Sequence, residues 1–361
     1  MSIPVLVVGA GAWGTAIAAH LAARSPQGLV QLWGRSNSDI TEMIARRENK
    51  RYLPGISLPT TLLFESDFDR ATQRWREQSL AHAKAHPVAS VHGLIILATP
   101  MSGLDDAAMA VSKHCGAAQP GEGLLWLAKG LRVSGDSAAP VLEWPHQIVG
   151  RHCQGWPQGA LSGPSFAQEV AQQRPVALTL ASQDLAWARA VAQACHGGGM
   201  RIYAASDLLG VELGGAMKNV LAIAAGVCDG LDLGGNARAA LLTRGLAEMA
   251  RLGVAIGAQP QSFMGLATLG DLILTATGDL SRNRRVGLAL AKGESLSEIV
   301  RALGHVAEGV TTAPALLALA KRSSVEVPIT ESVCRLLSGE VSPAQAITQL
   351  MSREPKDEIS G

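Results

Sequence analysis

One lysine interrupts a long apolar stretch of the chain. The segment 207–225 consists almost entirely of apolar and small residues, and Lys218 lies near its middle. An unpaired ammonium group is costly to remove from water, so a buried lysine either lowers its pKa or finds a carboxylate. Lys218 is therefore a candidate proton donor. The alternative is a lysine on the solvent-facing side of an amphipathic helix, with its methylene stem along apolar neighbours.

A carboxylate and a short basic run offer partners for this chemistry. Asp271 stands directly before the apolar run Leu-Ile-Leu, and its isolation suggests pairing with Lys218. The run 281–285, SRNRR, opens another helix. Arg282, beside that helix N-terminus, could bind a phosphate in a bidentate manner, and Asn283 could hydrogen-bond to the same group. A solvated basic cap is the alternative for the last two arginines of the run.

Three glycines near the start of the chain predict a nucleotide site. Gly9, Gly11 and Gly14 fit G-x-G-x-x-G, after a buried strand and at the start of a helix. The first permits a tight turn, the second lets the backbone approach a pyrophosphate, and the third lets helix and strand pack closely. The helix N-terminus adds N–H donors and partial positive charge. A glycine turn without a ligand is the alternative.

The residue after the second strand indicates which dinucleotide binds. An acidic group there would bind the ribose hydroxyls of NAD and repel a 2′-phosphate. This chain has Arg35 followed by Ser36 instead. Because arginine can pair with a phosphate and stack on adenine, we predict NADP(H) as the preferred cofactor, with NAD(H) as the alternative.

Further candidate ligand contacts follow predicted strands. Thr99-Pro100 comes after the apolar run 94–98, and Lys129-Gly130 comes after the run 124–128. Ligands bind at the carboxyl edge of such parallel strands. The loop LSGPSF at 161–166 could hold an anion or an amide, although an ordinary capped helix explains it equally well.

The spacing of apolar runs predicts two domains. Strand-like runs at 5–8, 29–33, 94–98, 124–128 and 176–181 alternate with helical segments, which predicts an α/β Rossmann-type doubly wound domain over 1–203. After Tyr203 the pattern becomes helical, with starts at Ser281, Thr311-Thr312 and Ser342, so residues 204–361 are predicted to form an all-α domain. The polar segment 67–92 is predicted to be a partly helical surface excursion, either a solvated insertion or an interaction surface.

Composition narrows the class of protein. With 361 residues, of which 47% are hydrophobic and 17% charged, the chain can bury the cores of two domains. Its net charge is +1 and its basic residues do not gather in one patch, so no nucleic-acid partner is expected. Five separated cysteines without a C-x-x-C pair predict reduced thiols, a cytoplasmic location and no metal site. No signal peptide or membrane span is indicated.

In these motifs the chain resembles the bacterial NAD(P)-dependent glycerol-3-phosphate dehydrogenases. The resemblance extends over nearly the whole sequence. Its motifs are GAGAWGTA at 9–16, LWGR at 32–35, AKGL at 128–131, SGPSFAQE at 162–169, GVELGGAMKNVLAI at 210–223, NARAALLTRGLAEM at 236–249, GDLILT at 270–275, SRNRR at 281–285 and VAEGV at 306–310.

The resemblance implies a 6-phosphogluconate-dehydrogenase-like fold, often dimeric, and a specific reaction. Hydride would pass from the nicotinamide to C2 of dihydroxyacetone phosphate, yielding sn-glycerol 3-phosphate for phospholipid synthesis. Lys218 would be the general acid or base, with Asp271 orienting it. The implied substrate contacts are Lys129, Gly163, Ser165, Lys218, Asn219, Asp271, Ser281, Arg282 and Asn283. The implied cofactor contacts are Gly9, Gly11, Ala12, Trp13, Gly14, Arg35, Lys129, Ala167, Arg282, Val306 and Glu308.

Some features depart from this family or leave alternatives. Family members often carry serine where Ala12 stands, so one hydroxyl contact to phosphate is not expected. The excursion at 67–92 is not explained by the resemblance. A ketopantoate reductase or β-hydroxyacid dehydrogenase is the nearest enzymatic alternative. The predicted phosphate-binding residues Ser281, Arg282 and Asn283 argue against it. The other alternative is a non-catalytic NADP(H) sensor. The presence of the candidate catalytic residues Lys218 and Asp271 argues against it.

Overall fold

The computed structural model describes residues 3–26, 28–134, 141–304 and 307–352. The first part of the chain alternates strands with helices. The strands are β1 Val5–Val8, β2 Val30–Trp33, β3 Glu48–Asn49, β4 Leu53–Ser57, β5 Leu63–Glu65, β6 Gly93–Leu97, β7 Glu122–Trp126, β8 Arg132–Ser134, β9 Val141–Glu143, β10 Gln158–Ser162, β11 Val176–Ala181 and β12 Met200–Ala205. The helices among them are α1 Ala12–Ala22, α2 Asn37–Arg46, α3 Phe68–Ala85, α4 Met101–Cys115, α5 Pro145–His152, α6 Ala167–Ala171 and α7 Leu185–Cys195.

The remainder is helical. Its elements are α8 Leu208–Gly230, α9 Gly234–Ala255, a 3₁₀ turn Pro260–Met264, a π-helical turn Leu266–Gly270, α10 Asp271–Thr277, α11 Arg282–Ala291, α12 Leu296–Leu303, α13 Glu308–Arg322, α14 Pro328–Leu337 and α15 Pro343–Met351. The predicted combination of a doubly wound α/β domain and an all-α domain is thereby confirmed.

The sheet explains where a ligand can bind. Its eight strands lie in the order β12-β11-β10-β7-β6-β1-β2-β5. Within this sheet the six strands β10, β7, β6, β1, β2 and β5 are parallel, whereas β11 runs antiparallel to β10. Both β2 and β6 flank β1, so the winding reverses beside β1, and the crevice at its carboxyl end is the expected ligand site. Every residue of β1 is buried, as expected for a strand covered on both faces.

The segment 67–92 is partly helical, as predicted, but its helix packs on the sheet and is not a solvated insertion. Residues 68–85 form the single helix α3, which crosses from β5 to β6 and lies on the sheet. Asp67 caps the helix by accepting the N–H of Arg70, and Ala71 and Trp75 are fully buried. Residues 68–85 are therefore an integral crossover helix with one exposed face.

Helix α8 is the centre of the second domain. Nearly all of its residues are buried, and it packs against α9, α10, α11 and α13. By length and composition it could cross a bilayer, but as the enclosed core of this domain it has the surroundings of an interior helix. The sheet extends to Ala205, two residues beyond the predicted boundary, and α13 begins at Glu308 rather than at Thr311. Thr312 lies instead inside α13, against Gly130.

Candidate active site

The glycine turn leaves room for a phosphate group at the crevice beside β1. Gly9 has a φ of +119°, a conformation that favours glycine, and a Cβ at Gly14 would overlap the Gly9 carbonyl oxygen. A Cβ at Gly11 would meet nothing within 4 Å. Helix α1 begins at Ala12 with no side-chain cap and no acidic residue in its first turn, which also holds Trp13. Uncapped N–H donors next to open space fit a pyrophosphate.

A buried asparagine that sequence reasoning missed supports this turn. The Nδ2 group of Asn49 donates to the Ala10 carbonyl at 3.0 Å and to Thr15 Oγ1 at 2.7 Å, and Asn49 is only 2% exposed. Because β3 ends at Asn49, these bonds tie the β3–β4 hairpin to the glycine turn. No local pattern marks this role, because Ala10 and Thr15 are more than 30 residues away from Asn49 in sequence.

Arg35 follows β2 at the same sheet edge. Its side chain is exposed and makes no ion pair with any residue that the structure describes. Ser36 accepts the N–H of Asp39 at 3.2 Å and so caps α2, while Asp39 pairs with Arg51 at 3.4 Å. Arg35 is thus an exposed cation at this corner whose charge is not engaged by a carboxylate among the described residues.

Lys129 and Lys218 share one carboxylate. Lys218 Nζ lies 2.6 Å from Asp271 Oδ1, and Lys129 Nζ lies 2.6 Å from Asp271 Oδ2. The three come from different elements, namely the loop after β7, helix α8 and the first turn of α10. Lys218 is 7% exposed and Asp271 1%. The structure therefore brings together the pair that the sequence suggested and adds Lys129 from the first domain.

A threonine that sequence reasoning missed completes the cluster. Lys218 Nζ donates to Thr275 Oγ1 at 3.0 Å, and that hydroxyl lies 3.3 Å from Asp271 Oδ1. Asp271 and Thr275 are four residues apart in α10 and therefore lie on one face of the helix. This spacing was the signal available in the sequence. Two fixed acceptors hold the ammonium group of Lys218 in one position.

Burial and charge set the titration of the cluster. Burial lowers the pKa of Lys218 from 10.5 to about 8, against the opposing attraction of Asp271. Burial alone would raise the pKa of Asp271, but the ammonium groups of Lys129 and Lys218 outweigh it and hold that pKa below its ordinary value. At neutral pH Asp271 is consequently an ionised carboxylate, and Lys218 is close to the pH at which it releases its proton.

The glycine-rich loop after β10 faces Lys129. Gly163 has a φ of +139°, and its carbonyl accepts from Ser165 Oγ at 2.9 Å and lies 3.5 Å from Lys129 Nζ. Ala167 begins α6 and packs beside the core under the glycine turn. The predicted loop residues thus lie at the same sheet edge as the lysine cluster.

Asn219, the residue after Lys218, leads to a second polar chain. Its Nδ2 group donates to Glu308 Oε2 at 3.3 Å, and its Oδ1 accepts from Asn283 Nδ2 at 2.9 Å. Asn283 Oδ1 in turn accepts the N–H of Gly309 at 3.0 Å. Burial raises the pKa of Glu308 above its ordinary value, against the attraction of Arg282. Asn283 is therefore engaged within the protein, and its predicted contact with a phosphate stays a prediction.

The basic run at the start of α11 divides into different roles. Ser281 is buried and caps α11 by accepting the N–H of Arg284 at 3.2 Å. Arg282 is exposed at the helix N-terminus, where it could bind an anion. Arg284 is not a solvated cap, because its guanidinium group pairs with Asp229 at 2.8 Å. The predicted contact Val306 lies outside the described residues.

Comparison with known proteins identifies the family. The profile of the NAD-dependent glycerol-3-phosphate dehydrogenase N-terminus matches residues 4–188, and that of the C-terminus matches residues 207–348. The glycerol-3-phosphate dehydrogenase, NAD(P)+, of Polynucleobacter asymbioticus is 51% identical over 360 residues, which cover 98% of this chain and 99% of the relative. The enzyme of the same name from Thiobacillus denitrificans is 49% identical over 354 residues, with 98% and 99% covered.

A solved structure agrees with these relatives. The crystal structure of glycerol-3-phosphate dehydrogenase from Coxiella burnetii is 35% identical, covers 98% of this chain and 99% of its own, and superposes with a TM-score of 0.83. Family profiles cover both domains, and the two relatives match along their full length. The chain belongs to the family of NAD-dependent glycerol-3-phosphate dehydrogenases.

Proposed function

We propose that this chain catalyses the reversible NAD(P)H-dependent reduction of dihydroxyacetone phosphate to sn-glycerol 3-phosphate, with Lys218 as the proton donor. The observation that carries the proposal is the buried cluster in which Asp271 lies 2.6 Å from both Lys129 and Lys218. Lys129 follows β7 at the sheet edge that also bears the glycine turn. The family and the names of its relatives support the same reaction.

Lys218 supplies the proton that this reduction requires. When bound, the reduced nicotinamide supplies a hydride to the carbonyl carbon of the substrate. As negative charge develops on the carbonyl oxygen, Lys218 Nζ donates a proton to it, and in the oxidation the neutral amine accepts the hydroxyl proton. A pKa of about 8 suits both directions near neutral pH. Asp271 and Thr275 orient the ammonium group throughout.

Two further cationic side chains, Lys129 and Arg282, are available to bind the substrate. Lys129 is half-buried at the sheet edge, and Arg282 is exposed at the N-terminus of α11. We assign Arg282, with the N–H groups of that helix end, to the phosphate, and Lys129 to the substrate hydroxyl end and the cofactor. Gly163 and Ser165 lie in the loop beside Lys129, and we assign them to contacts with the substrate.

We assign the dinucleotide to the crevice beside β1. Gly11 and the uncapped first turn of α1 would hold the pyrophosphate. The exposed guanidinium group of Arg35 favours NADP(H) over NAD(H), because it could pair with a 2′-phosphate. Glu308 and Ala167 are further proposed cofactor contacts. The relatives are named for NAD(P)+, which leaves this preference to be measured.

Initial rates with dihydroxyacetone phosphate and each cofactor test the proposal. Lys218→Met should lower kcat by about 10²- to 10⁴-fold, since it removes a general acid. It should still bind NADPH, measured by the quenching of protein fluorescence. Lys292→Met, at an exposed lysine, is the matched control. Wild-type protein that fails to oxidise NADPH with this substrate, or a Lys218→Met variant that keeps most of its kcat, would contradict the proposal.

We further propose a cytoplasmic homodimer that supplies glycerophospholipid synthesis. All five cysteines are free thiols, which suits a reducing compartment. Sedimentation velocity at micromolar concentration tests the dimer, because a monomeric mass would contradict it.

A further inference from the structure

Three residues of α8 lie along one face of the helix. Gly210, Gly214 and Lys218 are each four residues apart and therefore follow one another along the same side. That side faces the segment 260–275. A Cβ at Gly210 would lie 3.0 Å from Ser262 Cβ, one at Gly214 would overlap the Thr268 methyl group, and Lys218 contacts α10. Of the neighbouring glycines, only Gly215 faces the first domain, where Lys129 lies.

The contact between Gly214 and Thr268 leaves no space for a methyl group. Besides overlapping Thr268 Cγ2, a Cβ at Gly214 would lie 3.1 Å from Thr268 Cβ and 3.2 Å from Thr268 Cα. Thr268 is 0% exposed, and its Oγ1 donates toward the carbonyls of Ser262 at 2.5 Å and Gly265 at 3.1 Å. Because threonine is stiff at χ1 and these bonds hold its hydroxyl, rotation cannot readily clear the overlap.

Thr268 lies in the π-helical turn that delivers Asp271. In this turn the N–H of Gly270 bonds to the Gly265 carbonyl at 3.2 Å, five residues earlier, and Asp271 is the next residue. Single π turns occur often at functional sites, because the extra residue redirects the side chains that follow. Any displacement of Thr268 is therefore passed to Asp271 through only three residues of hydrogen-bonded backbone.

We propose that Gly214 is a positioning residue, whose missing side chain lets α8 approach the π turn closely enough to place Asp271 against Lys218. The inference rests on the proposed function, because it concerns the catalytic pair named there. Helix α8 is buried along nearly all of its length against other helices and against β10, so it cannot retreat from an added methyl group. The π turn must move instead, by about 1 Å to restore ordinary contact distances.

Gly214→Ala should therefore change the chemistry rather than the binding of the cofactor. A misplacement of about 1 Å can cost about 10²-fold in rate, so we expect kcat to fall about 10- to 100-fold with an unchanged Kd for NADPH. The charged groups facing Lys218 are Asp271, Lys129 and Glu308. If Asp271 recedes, the Lys218 ammonium loses its nearest counter-charge, and the alkaline limit of the reduction should move to lower pH.

A compensating substitution makes the test specific. Thr268→Ser removes the methyl group that the new Cβ would meet and keeps the hydroxyl that bonds to Ser262 and Gly265. Thr268→Ser alone should stay within about 3-fold of the wild-type kcat, and combined with Gly214→Ala it should recover at least about half of the lost activation free energy. Gly150→Ala, a helix glycine whose Cβ would make an ordinary 3.8 Å contact, should leave kcat and its pH profile unchanged.

The outcomes separate this inference from the proposed function. Wild-type protein without dihydroxyacetone phosphate reductase activity defeats the proposed function. With active wild type, a Gly214→Ala variant of normal kcat and normal pH profile overturns the positioning role, as does a double variant that is folded but no more active than Gly214→Ala. If Gly214→Ala does not fold, the double variant decides alone: folding with restored activity supports the role, and folding without activity refutes it.

Discussion

Replacement of Asp271 by asparagine is the sharpest test of how this site works. The carboxylate lies 2.6 Å from both lysines, and Asp271→Asn keeps its shape while removing its charge. Without the carboxylate, the buried ammonium of Lys218 loses its closest attraction and still faces the charge of Lys129. The lost attraction and the remaining repulsion together favour the neutral amine of Lys218, which cannot donate a proton.

The structure gives the size of this effect. In the wild type the pKa of Lys218 is about 8, so about half of the molecules carry the proton at pH 8. Loss of an adjacent opposite charge moves a pKa by roughly 2 pH units, which would leave about 1% protonated at pH 8 and about half at pH 6. The protonated fraction therefore falls about 50-fold at pH 8 but only about 2-fold at pH 6.

The assay is kcat for the reduction of dihydroxyacetone phosphate, followed by NADPH absorbance between pH 6 and pH 8.5. We expect the ratio of wild-type to Asp271→Asn kcat to grow with pH, on top of a constant loss from poorer orientation. Asp279→Asn, at an exposed carboxylate, is the matched control. A ratio that does not vary with pH would refute the assignment of Lys218 as the group that must be protonated, and thermal unfolding checks that the variant is folded.

Three further predictions concern other groups. Burial raises the pKa of Glu248 from 4.5 to about 7, so its stabilisation is present below pH 4.5 and lost as the pH rises through 7. Relative to Glu248→Gln, the wild-type free energy of unfolding should fall by about 2 kcal/mol from pH 5 to pH 8 in urea titrations, whereas parallel curves would contradict this. Arg35→Ala should weaken NADPH binding about 10- to 100-fold in fluorescence titrations and leave NADH unchanged, with Arg46→Ala as control. Lys129→Met should raise KM for dihydroxyacetone phosphate at least about 10-fold in initial-rate assays, and an unchanged KM would remove it from the substrate site.

Local patterns in the sequence sufficed for part of the fold and the site. The glycine turn and the buried strand before it are adjacent in the chain, so their geometry follows from a few neighbouring residues. Lys218 drew attention because an ionisable group in an apolar helix needs a partner. The identity of that partner was a hypothesis from chemistry, which the 2.6 Å contact with Asp271 now supports in the folded chain.

The features that the sequence did not reveal depend on distant contacts. Helix α3 buries a stripe that includes Ala71, Ser79 and His82 beside Trp75, and these small or polar residues hide its helical period. The Nδ2 group of Asn49 donates to Ala10 and Thr15, which are more than 30 positions away, so the sequence around Asn49 does not mark this role. Such roles are set by tertiary packing, which composition and periodicity do not encode.

The charge balance of the site explains why a phosphorylated substrate suits it. Lys129, Lys218 and Arg282 are three cations, against the carboxylates of Asp271 and Glu308. These cations outnumber the carboxylates by one, which leaves the cleft with an excess of positive charge. A neutral substrate would leave that excess uncompensated in surroundings of low dielectric, where unpaired charge is expensive. A phosphate ester supplies the missing anion, and its binding would keep Lys218 protonated until the developing alkoxide takes the proton.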